Sequence, residues 1–130
     1  MKNDFLLAAL VAIGGCAMVD TAPTPRQQNE LAAELGNRVP GPQLACLPSY
    51  RTSNMVRAGG RILYGSGSQL YLAQTSPGCE AIDGVGNVLL IELHGTTDLC
   101  SGELLKVIDT RGQFLRGSCT LEGFTPYRRP

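Results

Sequence analysis

The chain has 130 residues, a formal net charge of zero and no tryptophan. This length fits one domain. A neutral chain lacks the positive field that binding to nucleic acid requires, so we expect no nucleic-acid partner. Sixteen glycines and eight prolines indicate many turns, which favours a small all-β domain over a helical bundle.

The first residues have the layout of a bacterial export signal. Lys2 gives a weakly positive start, an apolar run follows from Phe5 to Ile13, and Gly14-Gly15-Cys16 closes it. A transmembrane helix needs about 20 apolar residues, and this run is much shorter. An apolar residue, two small residues and a cysteine in this order resemble the lipobox of bacterial lipoprotein precursors.

We therefore expect residues 1–15 to form a lipoprotein signal peptide and Cys16 to become the acylated first residue of the mature chain. More than one acyl chain gives stable anchoring. No aspartate follows Cys16 directly, which predicts sorting to the periplasmic face of the outer membrane. The alternative is cleavage after Ala17 by a non-lipid peptidase, which leaves a soluble periplasmic or secreted protein.

A polar tether over residues 16–24 precedes a short helix, which we predict over residues 25–36. The segment has a capping box at its start, formed by Thr24 and Gln27, and a glycine stop at its end, Gly36. Two leucines, Leu31 and Leu35, lie on one face. Because so short a helix is marginal alone, we expect its leucines to dock on the rest of the domain.

Residues 43–130 are expected to form a disulfide-stapled β domain, a small antiparallel barrel or sandwich of five to seven strands. Loops over residues 65–68 and 110–113 each separate two strand-like runs, which predicts two hairpins. Val88 to Leu93 is the most apolar run of the mature chain. We expect this run to be the central strand.

The alternation of apolar residues predicts which side chains share a face. In the first hairpin, Leu70 and Leu72 are expected to lie opposite Ile62 and Tyr64. In the return strand of the second hairpin, the residues expected to point inward are Leu115, Gly117, Cys119 and Leu121.

Four cysteines follow Cys16 in the chain, and an even number in a small exported protein indicates two disulfides. A zinc site is less consistent with the spacing of these cysteines, because zinc ligands usually come in closely spaced pairs. The absence of a Cys-x-x-Cys motif argues against redox catalysis. Sequence allows three pairings, of which we expect the nested one. Cys79–Cys100 would join the loops at the two ends of the expected central strand, and Cys46–Cys119 would join the first segment to the last strand.

His94 is the one candidate catalytic residue. With Ser101 and either Glu92 or Asp98 it would provide the residue types of a hydrolytic triad. No nucleophile-elbow motif accompanies it, and a surface histidine is the simpler interpretation. We therefore assign no catalytic residue. The sequence also gives no metal-binding or cofactor-binding motif, so we expect neither a metal nor a cofactor.

Several short stretches resemble an uncharacterised family of small exported four-cysteine proteobacterial proteins, a domain of unknown function. They are Gly36 to Pro42 leading to Cys46-Leu47, then Ile62-Leu63-Tyr64, Leu99-Cys100-Ser101-Gly102 and Gly117-Ser118-Cys119. The resemblance extends from about Leu31 to Pro130. It implies an exported four-cysteine domain and implies no activity.

These observations favour a non-catalytic envelope lipoprotein whose β domain binds or supports another envelope component. The alternative is a small periplasmic hydrolase-like enzyme that uses His94, and a third interpretation is an inhibitor-like module that presents the loop over residues 75–86. The expected partners are the membrane, through the acyl anchor at Cys16, and an envelope protein. The sequence leaves the oligomeric state open.

Overall fold

The computed structural model describes residues 22–93, 95 and 97–130, so the predicted signal peptide and Cys16 lie outside the described residues. In the described chain, one α-helix precedes nine strands that form a curled antiparallel half-barrel. This confirms the predicted all-β class with a short leading helix. The elements are α1 (Pro25–Leu35), β1 (Val39–Pro40), β2 (Cys46–Leu47), β3 (Met55–Ala58), β4 (Arg61–Ser66), β5 (Gln69–Thr75), β6 (Asn87–Ile91), β7 (Leu99–Cys100), β8 (Leu104–Asp109) and β9 (Phe114–Arg128), with 3₁₀ helices at Ser49–Arg51 and Glu80–Asp83.

Helix α1 begins at the predicted capping box. The Thr24 hydroxyl accepts a hydrogen bond from the Gln27 N–H at 3.2 Å, and the Gln27 side chain accepts one from the Thr24 N–H at 3.0 Å. The helix ends at Leu35, followed by Gly36 with a φ of 60°. The two leucines of α1 dock as expected, on a small apolar cluster of Ala58, Leu63, Leu70 and Leu72.

Strand β9 organises the sheet. The main sheet has the order β3-β4-β5-β9-β8-β6, β1 adds to β9, and β2 and β7 form a separate ribbon. The first half of β9, up to Thr120, pairs with β8, and the second half, from Leu121, pairs with β5. Gly123 lies near this change of partner with a φ of 143°. A strand shared between two sets of partners lets an antiparallel sheet curl over its own core.

The prediction that Val88 to Leu93 forms the central strand is wrong. Strand β6, which covers most of that apolar run, lies at the edge of the sheet and pairs with β8. Its Val88 and Leu90 are 45% and 46% exposed, whereas Leu89 and Ile91 are half-buried. The run is apolar on both faces although one face is open to solvent, so its hydrophobicity overstated its burial.

The predicted facing of two strands also needs correction. In the first hairpin, Leu72 lies opposite Leu63, and Leu70 lies opposite Gly65. In β9, Cys119 and Leu121 point inward as predicted, but Leu115 is 55% exposed. Gly117 pairs with Val107 and Leu115 with Ile108, so the extra residue Arg116 between them puts Leu115 on the opposite face from Gly117.

The presence of two disulfides is confirmed, but the nested pairing is wrong. The bridges are Cys46–Cys100 and Cys79–Cys119. Strands β2 and β7 pair with Cys46 directly opposite Cys100, which fixes the first bridge and leaves the other two cysteines to each other. The bridges close loops of 54 and 40 residues, so loop entropy predicts a stabilisation of about 4 kcal/mol from each.

The half-barrel encloses a core but does not close. Phe124 is fully buried and meets the ring of Tyr64 edge-on, with 6.1 Å between the centroids. Strands β3 and β6 are the two ends of the strand order, and no backbone hydrogen bond joins them among the described residues. We call the gap between these two strands the seam. The side chain of Arg57 crosses the seam near the 3₁₀ helix at Glu80–Asp83.

Candidate binding groove

A groove of about 420 Å³ lies beside the second half of β9. Its floor includes Tyr71 and Pro126, which are opposite each other where β5 pairs with β9. One wall is the segment from Val39 to Pro42, together with Leu44. We call this concavity the arginine groove, because Arg51, Arg128 and Arg129 also line it.

The proline-rich wall is held by backbone bonds to β9. The Gly41 N–H donates to the Pro126 oxygen at 2.8 Å, and Leu44 exchanges bonds of 2.7 and 2.8 Å with Phe124. Pro40 and Pro42 have no N–H to offer a further strand, so this edge resists sheet extension. The wall is therefore fixed in place and leaves the apolar surfaces of Val39 and Leu44 exposed.

Arg51 is oriented by two tyrosines. Its guanidinium donates to the Tyr71 hydroxyl, and its central carbon lies 5.3 Å from the Tyr71 ring centroid and 5.5 Å from that of Tyr50. Such cation–π contacts favour a positive charge over an aromatic face. Tyr71 is only 3% exposed, so its ring gives Arg51 a rigid support. A hydroxyl that accepts from a guanidinium keeps its own proton to donate.

Arg128 and Arg129 bring further positive charge at the end of β9. Arg128 lies opposite Gln69 on one side and Val39 on the other, and the Arg129 N–H donates to the Ser68 oxygen at 3.0 Å. Both residues are exposed. Within the described chain neither forms an ion pair, and the described residues that line the groove include no carboxylate.

This arrangement can bind an anion that carries an apolar part. A guanidinium matches the geometry of a carboxylate or a phosphate, and charge-assisted hydrogen bonds to it are stronger than neutral ones. A concave surface with charge of one sign concentrates ions of the opposite sign. Among its described lining residues the groove has no nucleophile paired with a base.

His94, the candidate that the hydrolase alternative would use, lies outside the described residues. Of its expected carboxylate partners, Glu92 pairs with Lys106 at 3.2 Å on the exposed side of the β6–β8 pair. Ser101 sits in a turn, where its N–H donates to the Ala45 oxygen at 2.7 Å. The hydrolase alternative therefore stays a prediction.

The four cysteines of the β domain are held in disulfides, and no group of three potential metal ligands occurs in the part of the chain that the structure describes. Within that part, no helix has the length and apolar character needed to cross a bilayer. The disulfides themselves indicate an oxidising, extracytoplasmic compartment.

The arginine groove was missed in the sequence because its charges are far apart along the chain. Arg51 precedes the Arg128-Arg129 pair by more than half the chain length, so no local run of positive charge contains all three residues. The dibasic end of the chain and the Val39 to Pro42 segment were local signals. Nothing in the sequence alone indicated that β1 would pair with the end of β9.

Comparisons with protein-family models, with curated proteins and with solved structures find no match to this chain.

Proposed function

We propose that this chain is a lipid-anchored, non-catalytic binding module of the bacterial envelope that holds an anionic, partly apolar ligand in the arginine groove. One observation carries the proposal: three arginines surround an apolar floor, and the described lining residues supply no carboxylate to neutralise them. A ligand that brings the missing negative charge gains charge-assisted hydrogen bonds and covers exposed apolar surface at the same time.

The location rests on two observations of different kinds. The disulfides indicate an oxidising compartment outside the cytoplasm. The lipobox-like sequence that ends at Cys16 supports export with acylation, and more than one acyl chain would hold the chain stably at a membrane. The outer membrane is the expected destination, because no aspartate follows Cys16.

The shape of the groove supports a small ligand. Its volume of about 420 Å³ falls within the range of roughly 300–1,000 Å³ that is usual for small-molecule sites. Val39, Leu44 and Pro126 offer contacts for an apolar body. The anionic group would then lie among the guanidinium groups, with the Tyr71 hydroxyl as a neutral donor.

A matched pair of probes tests the ligand class. We would titrate 4-phenylbutyrate and its neutral isostere 4-phenylbutanamide into the full chain held in phosphatidylcholine nanodiscs, with empty nanodiscs as the blank. The proposal predicts that the carboxylate binds at least about tenfold more tightly than the amide, and that its affinity falls as salt is added. Equal affinities for the two compounds would contradict it.

A charge-matched pair of variants tests the location of this binding. The double variant Arg128→Gln/Arg129→Gln should lose at least about tenfold in affinity for 4-phenylbutyrate. The control Arg26→Gln/Arg111→Gln removes the same net charge from two exposed arginines that do not line the groove. The control should keep its affinity, and equal losses in both variants would mean that only the overall charge matters.

The anchor is tested separately. Expression of the wild-type chain with radiolabelled palmitate should label the protein and bring it to the membrane fraction, and Cys16→Ser should abolish the label. Thr21→Ser, a similar change in the predicted tether, is the control and should label normally. Undiminished labelling of Cys16→Ser would reject the lipid anchor and leave the soluble exported form.

A further inference from the structure

A second concavity opens at the seam, on a different part of the half-barrel from the arginine groove. It is a cleft of about 300 Å³ between the β3–β4 side and the β6 side of the open sheet. The residues that matter to its chemistry are Thr52, Met55, Tyr64, Leu89, Ile91 and Leu99. Leu99 and Tyr64 are each 3% exposed, so the cleft reaches down to the core.

The cleft persists because the two edge strands do not pair. Arg57 bridges them only near one end of the seam, through the backbone oxygens of Ile82 and Asn87 at 3.3 and 2.8 Å. Asn87 directs its oxygen toward β3, and alternate residues of a strand direct their backbone groups to the same side. Leu89 and Ile91 therefore also present backbone donors and acceptors to the seam.

Tyr64 is the one aromatic residue among the described residues that line this cleft, and its hydroxyl oxygen is not among the fully buried atoms that lack a partner. Its ring is fixed edge-on against Phe124. Burial raises the pKa of Tyr64 to about 12, so the group is a neutral donor at any physiological pH. A molecule in the cleft that offers an acceptor would gain a hydrogen bond from this hydroxyl, which is worth about 1 kcal/mol net.

The described part of the lining favours an uncharged ligand. None of the described residues that line the cleft is charged, and its surfaces are aliphatic except for threonines and the tyrosine. Burial of an unpaired charge in such surroundings is strongly unfavourable. The volume is at the lower end of the usual range for small-molecule sites, which favours a compact molecule over a folded partner.

We propose that the seam cleft is a second binding site, which takes a small uncharged apolar molecule whose carbonyl or ether oxygen accepts a hydrogen bond from Tyr64. This site is independent of the arginine groove, because the two share no lining residue and require opposite ligand chemistry.

Two fluorinated probes of the same shape test the proposal. 4-Fluoroacetophenone carries a carbonyl oxygen, and 4-fluoro-α-methylstyrene has a CH₂ group in its place. Fluorine NMR titrations of the full chain in nanodiscs, with empty nanodiscs as the blank, should show that the ketone binds about 3–10-fold more tightly than the alkene. Equal binding of the two, or no binding of the ketone, would overturn the proposal.

Four variants locate the binding. Tyr64→Phe should weaken the ketone about 3–10-fold and change the alkene less than about twofold. Leu89→Trp should fill the cleft and remove both probes, whereas Leu90→Trp changes the exposed side of the same strand and should remove neither. If Leu89→Trp retains ketone binding, or if Tyr64→Phe weakens both probes equally, the cleft is not the site. Arg128→Gln/Arg129→Gln should leave the affinity for the ketone unchanged. A loss of ketone affinity in this double variant would assign the binding to the arginine groove instead.

Discussion

The guanidinium of Arg57 on β3 donates to the backbone oxygen of Asn87 on β6 at 2.8 Å. The same nitrogen donates to the Ile82 oxygen at 3.3 Å. These strands are the two ends of the sheet, so one side chain replaces part of the backbone ladder that would close a barrel. The bonds are partly buried, which increases the cost of losing them.

We therefore expect Arg57→Leu to destabilise the domain by about 2 kcal/mol, because two backbone acceptors lose a charged donor. Arg111→Leu is the matched control, since Arg111 also donates to a backbone oxygen, that of Val85 at 3.1 Å, but in an exposed position. The control should cost less than about 0.5 kcal/mol. Urea unfolding followed by circular dichroism measures both, and equal costs would show that Arg57 does not hold the seam.

Because Tyr64 is buried, we expect the free energy of unfolding to fall at alkaline pH. Burial raises its pKa from 10.0 to about 12, so the folded state holds the phenolic proton more tightly than the unfolded state does. This contribution is complete below pH 10 and is lost as the pH rises toward 12. The total loss is on the order of 3 kcal/mol.

The measurement is urea unfolding at a series of alkaline pH values. Tyr64→Phe should unfold with a smaller loss of stability over this range than the wild type. Tyr50→Phe, at a tyrosine that is 72% exposed, should behave like the wild type. If Tyr64→Phe retains the full alkaline loss, another group is responsible.

The sequence predicted the features that depend on local chemistry. The capping box, the glycine stop after Leu35, the two hairpins and the presence of disulfides follow from neighbouring residues or from counting. The facing of the first hairpin was wrong because Leu72 lies opposite Leu63, one residue away from the expected partners Ile62 and Tyr64, and a change of one residue in register moves side chains to the other face.

The predictions that were wrong depend on the pairing of strands that are far apart in the sequence. The position of β6 at the edge, the ribbon that puts Cys46 opposite Cys100, and the pairing of β1 with the end of β9 join segments that are distant in the sequence. No local pattern specifies which strand meets which. The arginine groove depends on one of these pairings, so it could not be predicted without the fold.

A close approach of two glycines explains how the second disulfide forms. A Cβ atom on Gly117 would overlap the Gly78 oxygen, and a Cβ on Gly78 would overlap the Ser118 oxygen. The absence of these atoms lets the loop before Cys79 lie against β9, where the Cα atoms of Cys79 and Cys119 are 5.6 Å apart.

Gly117→Ala should therefore destabilise the domain by about 2–3 kcal/mol through steric overlap. Gly67→Ala is the control, because its Cβ would meet no atom within 4 Å and only its φ of +67° is unfavourable. It should cost about 1 kcal/mol. Thermal unfolding compares the two, and a larger loss from Gly67→Ala would contradict the close-approach explanation.

The two disulfides should differ in their reaction with reductants. Cys46 is exposed and Cys100 half-buried, whereas Cys79 and Cys119 are each 4% exposed. Because exchange requires a thiolate to reach a sulfur atom, mild reduction should open Cys46–Cys100 first. Alkylation followed by peptide mass spectrometry identifies the freed cysteines. Earlier modification of Cys79 and Cys119 would contradict the structure.

The most direct test of the central proposal is to map 4-phenylbutyrate on the isotope-labelled chain by amide chemical shifts. We predict that the largest changes occur at Gly41, Gln69 and Arg128, which surround the arginine groove, and that 4-phenylbutanamide causes much smaller ones. Changes centred on Leu89 and Ile91 at the seam, or equal responses to the acid and the amide, would contradict an anion-binding groove.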